Sequence, residues 1–124
     1  MQATFDTSSA ILAGHGLSRV FRGRTAAALA MVRDGVPSDE VARVTGATVA
    51  VRDATVELRE GETLAIMGLV QSGKSTLLRL LNRLLEPSAG VVRFRGADLG
   101  ACSAKDLAAI RRGEIGMVFS SVAL

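Results

Sequence analysis

Residues 26 to 32 read Ala-Ala-Ala-Leu-Ala-Met-Val, an alanine-rich stretch that suits a helix from Thr25 to Arg33, and Gly35-Val36-Pro37 ends it. Ser38 then stands where an N-cap would. Asp39 and Glu40 follow in a first turn, where carboxylates meet the positive end of the helix dipole. This second short helix runs to about Val44 and stops at Gly46. Val49, Val51, Ala54, Val56 and Leu58 come next, with Arg52, Asp53, Thr55, Glu57 and Arg59 mostly between them. Near period-two alternation of this kind predicts a strand with one buried face. Glu60-Gly61 turns the chain.

Leu64-Ala65-Ile66-Met67 is continuously apolar and ends at Gly68, the pattern of a strand buried on both faces in a parallel or mixed sheet. After a glycine-bearing loop, Leu77, Leu80, Leu81 and Leu84 fall at i, i+3, i+4 and i+7, with Leu78 and Leu85 widening the stripe. That predicts a helix of about three turns packed on the sheet, stopped by Glu86-Pro87-Ser88-Ala89-Gly90. Val91, Val92 and Phe94 make a short strand with a turn at Gly96-Ala97-Asp98. Ser103 with Asp106 opens a further helix, in the manner of a capping box, ending near Arg112 and Gly113. Ile115 to Phe119 reads as a final strand. The fold class is therefore α/β: a mixed sheet, antiparallel before Gly61, with a central strand at 63–67 and a two-helix insert at 25–48. An apolar strand so near the last residues, Val122-Ala123-Leu124, reads as part of a larger domain; the alternative is that these residues dock on a small complete one.

Composition narrows the function classes. The 124 residues make one domain or part of one. At 48% hydrophobic, with mean hydropathy +0.33, the chain is too apolar for a disordered tail. The net charge of +3 is spread over scattered arginines, which reads as a solvated surface and not as a nucleic-acid patch. Four Phe without Trp or Tyr argue against a stacking platform for single strands. One cysteine, Cys102, builds neither a disulfide framework nor a cysteine-based metal site, which favours a reducing compartment. The first sixteen residues lack the pattern of a secretory signal. The longest apolar run, Ala26 to Val32, is far short of the roughly 18–20 residues that cross a bilayer, so a membrane role would run through a partner.

The chemistry concentrates in residues 68–76, Gly-Leu-Val-Gln-Ser-Gly-Lys-Ser-Thr, which satisfy GxxxxGK[ST] between a predicted buried strand and an amphipathic helix. A polyphosphate needs converging donors without bulky side chains in the way. Gly68 and Gly73 let the backbone curl so that successive N–H groups point inward at the positive end of the helix. Lys74 is placed to reach the β- and γ-phosphates as a point charge, Ser75 to put its hydroxyl on Mg²⁺, and Thr76 to bind near the α-phosphate. Ser72 completes the set. Lysine is scarce, with Lys74 and Lys105 beside thirteen arginines, so Lys74 is not one of many surface copies. A dinucleotide-binding GxGxxG would need different glycines.

Met67 through Leu85, with LLRLLNRLLEPSAG within and after it and RRGEIGMVF near the end, resembles the ATP-binding subunit of ABC transporters. More narrowly, the helical insert between Phe21 and Val51 resembles the branch that energises glycine betaine/proline importers of osmoprotectants. The resemblance spans roughly Leu17 to Leu124. It implies an ABC ATPase core of the phosphate-loop NTPase type, with residues 1–124 as its N-terminal part. ATP and Mg²⁺ are the implied cofactors. The implied assembly is a homodimer of ATPase subunits on integral membrane permease subunits, at the cytoplasmic face of the inner membrane, with no nucleic-acid partner. Phe21 matches the family's aromatic that stacks on adenine; the alternative is a core or edge-strand phenylalanine. His15 has no such counterpart and reads as surface.

Departures from the family pattern limit what is carried over. Val70 and Gln71 stand where the family's loop has Ser and Gly, and Gln71 is the more serious because glycine gives backbone freedom beside the phosphates. Ser120 stands where the family has a glutamine that helps hold Mg²⁺, and that role is not transferred. The sequence ends before the family's acidic strand, signature motif and switch histidine, so no catalytic residue is assigned. The chain reads as a nucleotide-binding half-site, not hydrolytically active alone. The competing readings are an amino-acid importer ATPase, a degenerate non-catalytic fragment and a small phosphate-loop kinase. The insert speaks against the first, and the lack of an acceptor site and lid against the last.

Overall fold

The computed structural model describes residues 10–119. Its sheet is a four-stranded antiparallel layer built around β1 (Ala10–Phe21), which pairs with β2 (Thr48–Arg59) on one side and β3 (Ala89–Phe94) on the other; β4 (Ala97–Asp98) extends β3. Twelve residues of β1 bury Leu17 and Val20 on the way. The β1–β2 register slips around Gly14 and Leu17. Two hydroxyls take the amide donors that the slip releases. Ser18 Oγ accepts from Asp53 N at 2.9 Å, and Thr55 Oγ1 accepts from Gly16 N at 3.1 Å. A bulge is stable only if its freed donors are met in this way.

The insert forms as the sequence predicts, with α1 at Thr25–Arg33 and α2 at Ser38–Thr45. Val20, Ala28, Val32, Val41 and Ala47 bury a small core of their own at the end of the β1–β2 pair. Gly46 closes α2 in the left-handed conformation, and Thr45 Oγ1 accepts from Ala47 N at 3.1 Å. Ser38 is not the N-cap. Pro37 occupies that position, and the Ser38 hydroxyl lies 3.4 Å from the Arg52 guanidinium instead.

The main core lies between the sheet and α3 (Lys74–Leu81), where Leu17, Val51, Leu80, Leu81, Val92, Phe94 and Leu99 are buried together. Each such aliphatic side chain contributes about 1.5–3 kcal/mol. The helix is one turn shorter than the leucine periodicity predicts. Arg83 takes a left-handed φ of 61°, and Leu84 N donates to Asn82 Oδ1 at 3.0 Å, which replaces the next helical bond with a turn. Leu85 still packs on the core, whereas Leu84 is half exposed. The last helix, α4 (Ala104–Gly113), has the expected cap: Ser103 Oγ accepts from Asp106 N at 3.1 Å.

Two predicted strands are not formed. Residues 63–67 and 115–119 form no regular element and belong to no ladder, so the parallel component expected of the sheet is absent among the described residues. A strand buried on both faces needs neighbours on both edges and both faces. Here Leu64 is 47% exposed, Met67 89% and Val118 92%. His15, expected at the surface, is partly buried on β1 with Nε2 3.9 Å from Glu57 Oε1. Ser120 and Val122 to Leu124 lie outside the described residues, as does most of the N-terminal stretch.

Candidate phosphate-binding site

Residues 68–76 form a tight loop running into α3. Ser72 N donates to Leu69 O at 3.1 Å, and a Cβ at Gly68 would lie 2.5 Å from Ser72 Oγ, so a side chain there would displace the Ser72 hydroxyl and crowd the loop. Gly73 has φ +93°, and a Cβ on it would meet Ala50 O of β2 at 2.0 Å. This contact sets the loop against the sheet. Gln71 adopts φ 67°, a conformation that glycine takes at little cost and an L-residue takes at about 1–2 kcal/mol. The structure thus gives a physical content to the departure noted at this position.

Lys74 is the first residue of α3, and its Nζ donates to Gly68 O and Leu69 O, each at 3.1 Å. The ammonium is folded back over its own loop. Leu77 N donates to Gly73 O at 2.9 Å as the first α-helical bond, so the N–H groups of Lys74, Ser75 and Thr76 precede the helical ladder. Ser75 is exposed and Thr76 partly buried in that first turn. Converging amides, a lysine charge and the helix dipole suit a polyphosphate. Among the described residues no group of three or more His, Cys, Asp or Glu side chains could hold a metal ion. A Mg²⁺ ion fits this donor set only as a phosphate-bridged ion with Ser75 as the protein ligand, since Mg²⁺ tolerates one protein ligand when phosphates and water supply the rest.

Beside the loop lies a cavity of about 380 Å³. Ser72, Gly73, Lys74 and Met67 line one side; Val49, Ala50 and Arg52 of β2 and Ser38 of the insert line the other. Of the residues singled out from sequence, Gly68, Ser72, Gly73, Lys74, Ser75 and Thr76 come together. Phe21 stands apart: it ends β1 opposite Thr48, carries the Arg19 guanidinium 4.5 Å from its ring centroid, and does not line the cavity. Val49, Ala50, Arg52 and Ser38 were missed. Strand alternation and an apparent cap explained them in sequence, and only the fold brings them beside Lys74.

A second cavity, of about 430 Å³, is mainly apolar and lies between Leu64 and Ile66 on one side and Ile115 to Val118 on the other, with Leu78 and Leu81 of α3 in its wall. None of residues 68–76 lines it.

Comparison with known proteins agrees with the loop and extends beyond it. The family model for the ABC transporter matches residues 51–124. The chain is 41% identical over 108 residues to the glycine betaine/proline betaine transport system ATP-binding protein ProV of Escherichia coli (strain K12), covering 87% of this chain and 27% of that protein. It is 43% identical over 108 residues to the glycine betaine transport ATP-binding protein OpuAA of Bacillus subtilis (strain 168), covering 87% and 26%. Matches of that length in 124 residues have to run through both the insert and the loop. The trimethylamine N-oxide transport system ATP-binding protein TmoW of Ruegeria pomeroyi is 36% identical over 116 residues, covering 94% and 34%. The chain therefore spans about a quarter to a third of the length of these curated relatives. Among solved structures, the dimeric post-hydrolysis ATP-binding cassette MJ0796 bound to ADP and Pi matches with TM-score 0.64 at 23% identity, covering 88% of this chain and 38% of that one. That likeness supports the partial ATP-binding-cassette core. With the loop, its flanking helix and the matched residues in agreement, the chain belongs to the ABC transporter family.

Proposed function

We propose that this chain carries the phosphate-binding half of an ATP-binding subunit that energises import of glycine betaine, proline or a related quaternary amine. The observation that carries the reading is Lys74, whose ammonium is held over the carbonyls of Gly68 and Leu69 at the start of α3. A lysine fixed there needs little reorganisation to accept an anion. Gly68 and Gly73 keep side chains out of the loop, the amides of Lys74 to Thr76 would bind phosphate oxygens, and Ser75 would hold Mg²⁺, which would offset phosphate charge. Bound MgATP supplies the free energy of phosphoanhydride cleavage to transport. Phe21, which ends β1 beside Thr48 and outside the cavity, is proposed as an adenine contact on the family resemblance alone. The substrate assignment draws on the betaine-transport relatives, which match through the insert.

The full subunit would act as a homodimer on membrane permease subunits at the cytoplasmic face of the inner membrane. No helix among the described residues is long and apolar enough to cross a membrane. With no catalytic residue assigned, this reading expects the 124-residue chain to bind nucleotide without turning it over. Gln71 in its left-handed conformation strains the loop but leaves the donors in place.

Calorimetry of MgATP binding to the 124-residue chain tests this, with Lys74→Ala as control and ATP turnover measured alongside. Saturable binding that is lost in Lys74→Ala, with no turnover, is expected. A folded sample that binds no MgATP would refute it.

A further inference from the structure

We propose that the α1–α2 insert forms one wall of the nucleotide pocket, with Ser38 contacting the nucleoside portion and Arg52 as the positioning residue that holds Ser38 in place. This rests on the reading of residues 68–76 as an ATP loop.

The cavity beside the loop has the size and lining of a small-molecule site. Its volume of about 380 Å³ falls within the range of roughly 300–1,000 Å³ usual for such sites. Lys74 and Ser72 supply polar groups at one end, Val49 and Ala50 an apolar wall, and Ser38 a hydroxyl from the insert. Phosphates on Lys74 leave the nucleoside to extend along β2 toward Ser38. That side chain is exposed and free to exchange water for a sugar hydroxyl or a base edge.

What places Ser38 there is one guanidinium. Arg52 Nη1 donates to Val32 O at 3.5 Å, and Nη2 donates to Val36 O and lies 3.4 Å from Ser38 Oγ. A single planar fork thus ties the end of α1, the connecting turn and the start of α2 to β2. Lysine, a point charge without a second arm, cannot make this set. The strand bearing Arg52 also packs closely against the loop, where Gly73 approaches Ala50 O. Loop, strand, arginine and insert therefore form one contiguous support, and the insert's position bears on the nucleoside end of the ligand while leaving the phosphate end alone.

The test measures affinity for MgATP and for magnesium tripolyphosphate, which presents phosphates without a nucleoside, by calorimetry on the 124-residue chain. Ser38→Ala and Arg52→Gln are expected to weaken MgATP binding about threefold to tenfold, the worth of one hydrogen bond, and to leave tripolyphosphate within twofold. Arg52→Lys should behave like Arg52→Gln. Lys74→Ala should weaken both ligands. Unchanged MgATP affinity in Ser38→Ala and Arg52→Gln overturns the insert's role while leaving the ATP reading intact, and so does an equal loss on both ligands. A wild-type chain that binds neither ligand overturns the ATP reading and this inference with it. Should Arg52→Gln fail to fold by circular dichroism, Ser38→Ala at its exposed position decides.

Discussion

Replacing Gly73 with alanine tests whether the loop's seat on β2 matters for binding. The left-handed backbone at this position, φ +93°, costs an alanine about 1–2 kcal/mol. The new Cβ would also lie 2.0 Å from Ala50 O, against an ordinary contact of 3.4 Å or more. Ala50 O is backbone and a Cβ is fixed by its own Cα, so neither can rotate away, and overpacking of this kind costs about 1–3 kcal/mol. The combined strain, on the order of 2–5 kcal/mol, is more than a loop with few buried contacts can hold. Residues 67–71 are exposed and residues 63–69 belong to no ladder, so the loop swings off β2 long before the core between α3 and the sheet opens. Global stability by urea denaturation should therefore fall by less than about 1 kcal/mol, while MgATP affinity by calorimetry falls at least tenfold. Gly96→Ala is the matched control. It has φ +81° with nothing within 4 Å of the added Cβ, so it carries the backbone strain without the clash and should leave binding unchanged. Gly73→Ala binding MgATP within twofold of wild type, in a chain where Lys74→Ala does not bind, would refute the reasoning.

Gln71→Gly removes a left-handed penalty of about 1–2 kcal/mol against about 0.5–1 kcal/mol of added chain entropy; the strain is present before any ligand binds, so urea denaturation should show a gain of up to about 1.5 kcal/mol with MgATP affinity within twofold. Weaker binding in that variant would mean that the glutamine side chain itself touches the nucleotide. Ser103→Ala removes the Asp106 amide's acceptor and should cost about 1 kcal/mol in urea denaturation; a change below about 0.3 kcal/mol would show that the α4 cap carries no weight. Met67, Leu69, Val70 and Val118 are each more than 85% exposed, so light scattering should find self-association that grows with concentration and is reduced by Val118→Lys. A monodisperse monomer would contradict this.

The insert helices, β2, β3 and α4 follow from local patterns, and the Ser103 cap from one hydroxyl three residues before Asp106. β1 was not legible: its buried positions, Ala10, Ala13, Leu17 and Val20, keep no regular period where the register slips. The loop was legible because its residue types answer to local requirements: Gly73 is where a Cβ has no room, Gly68 is where one would crowd Ser72, and Lys74 supplies the charge. The end of α3 was not legible, because leucine spacing continues through Leu84 while Arg83 turns the backbone left-handed. Ser38 was misread for a related reason. Its position before Asp39 and Glu40 imitates a cap, but Pro37 takes that place and a strand arginine claims the hydroxyl. No local pattern carries a contact to Arg52, which is made by a residue on another element.

The two apolar runs that did not become strands are the most informative disagreement. Leu64 to Met67 and Ile115 to Phe119 face each other's neighbourhood across a mainly apolar cavity of about 430 Å³, beside the buried leucines of α3. A sequence that is apolar at every position specifies burial on both faces, whereas the antiparallel layer β2–β1–β3–β4 is closed at neither of these segments. The described residues thus contain a half that is paired and packed, with its own core around Leu17, Leu80 and Leu99, joined to segments whose apolar pattern no ladder among the described residues satisfies. The phosphate loop sits at the junction. Its glycine contact to Ala50 belongs to the supported half, and Leu64 to Met67, which leads into it, belongs to the unsupported one. Nucleotide binding therefore draws on the β2 contact and on α3 for its geometry. For that reason, substitutions at Gly73 should disturb it more than substitutions at the exposed Met67.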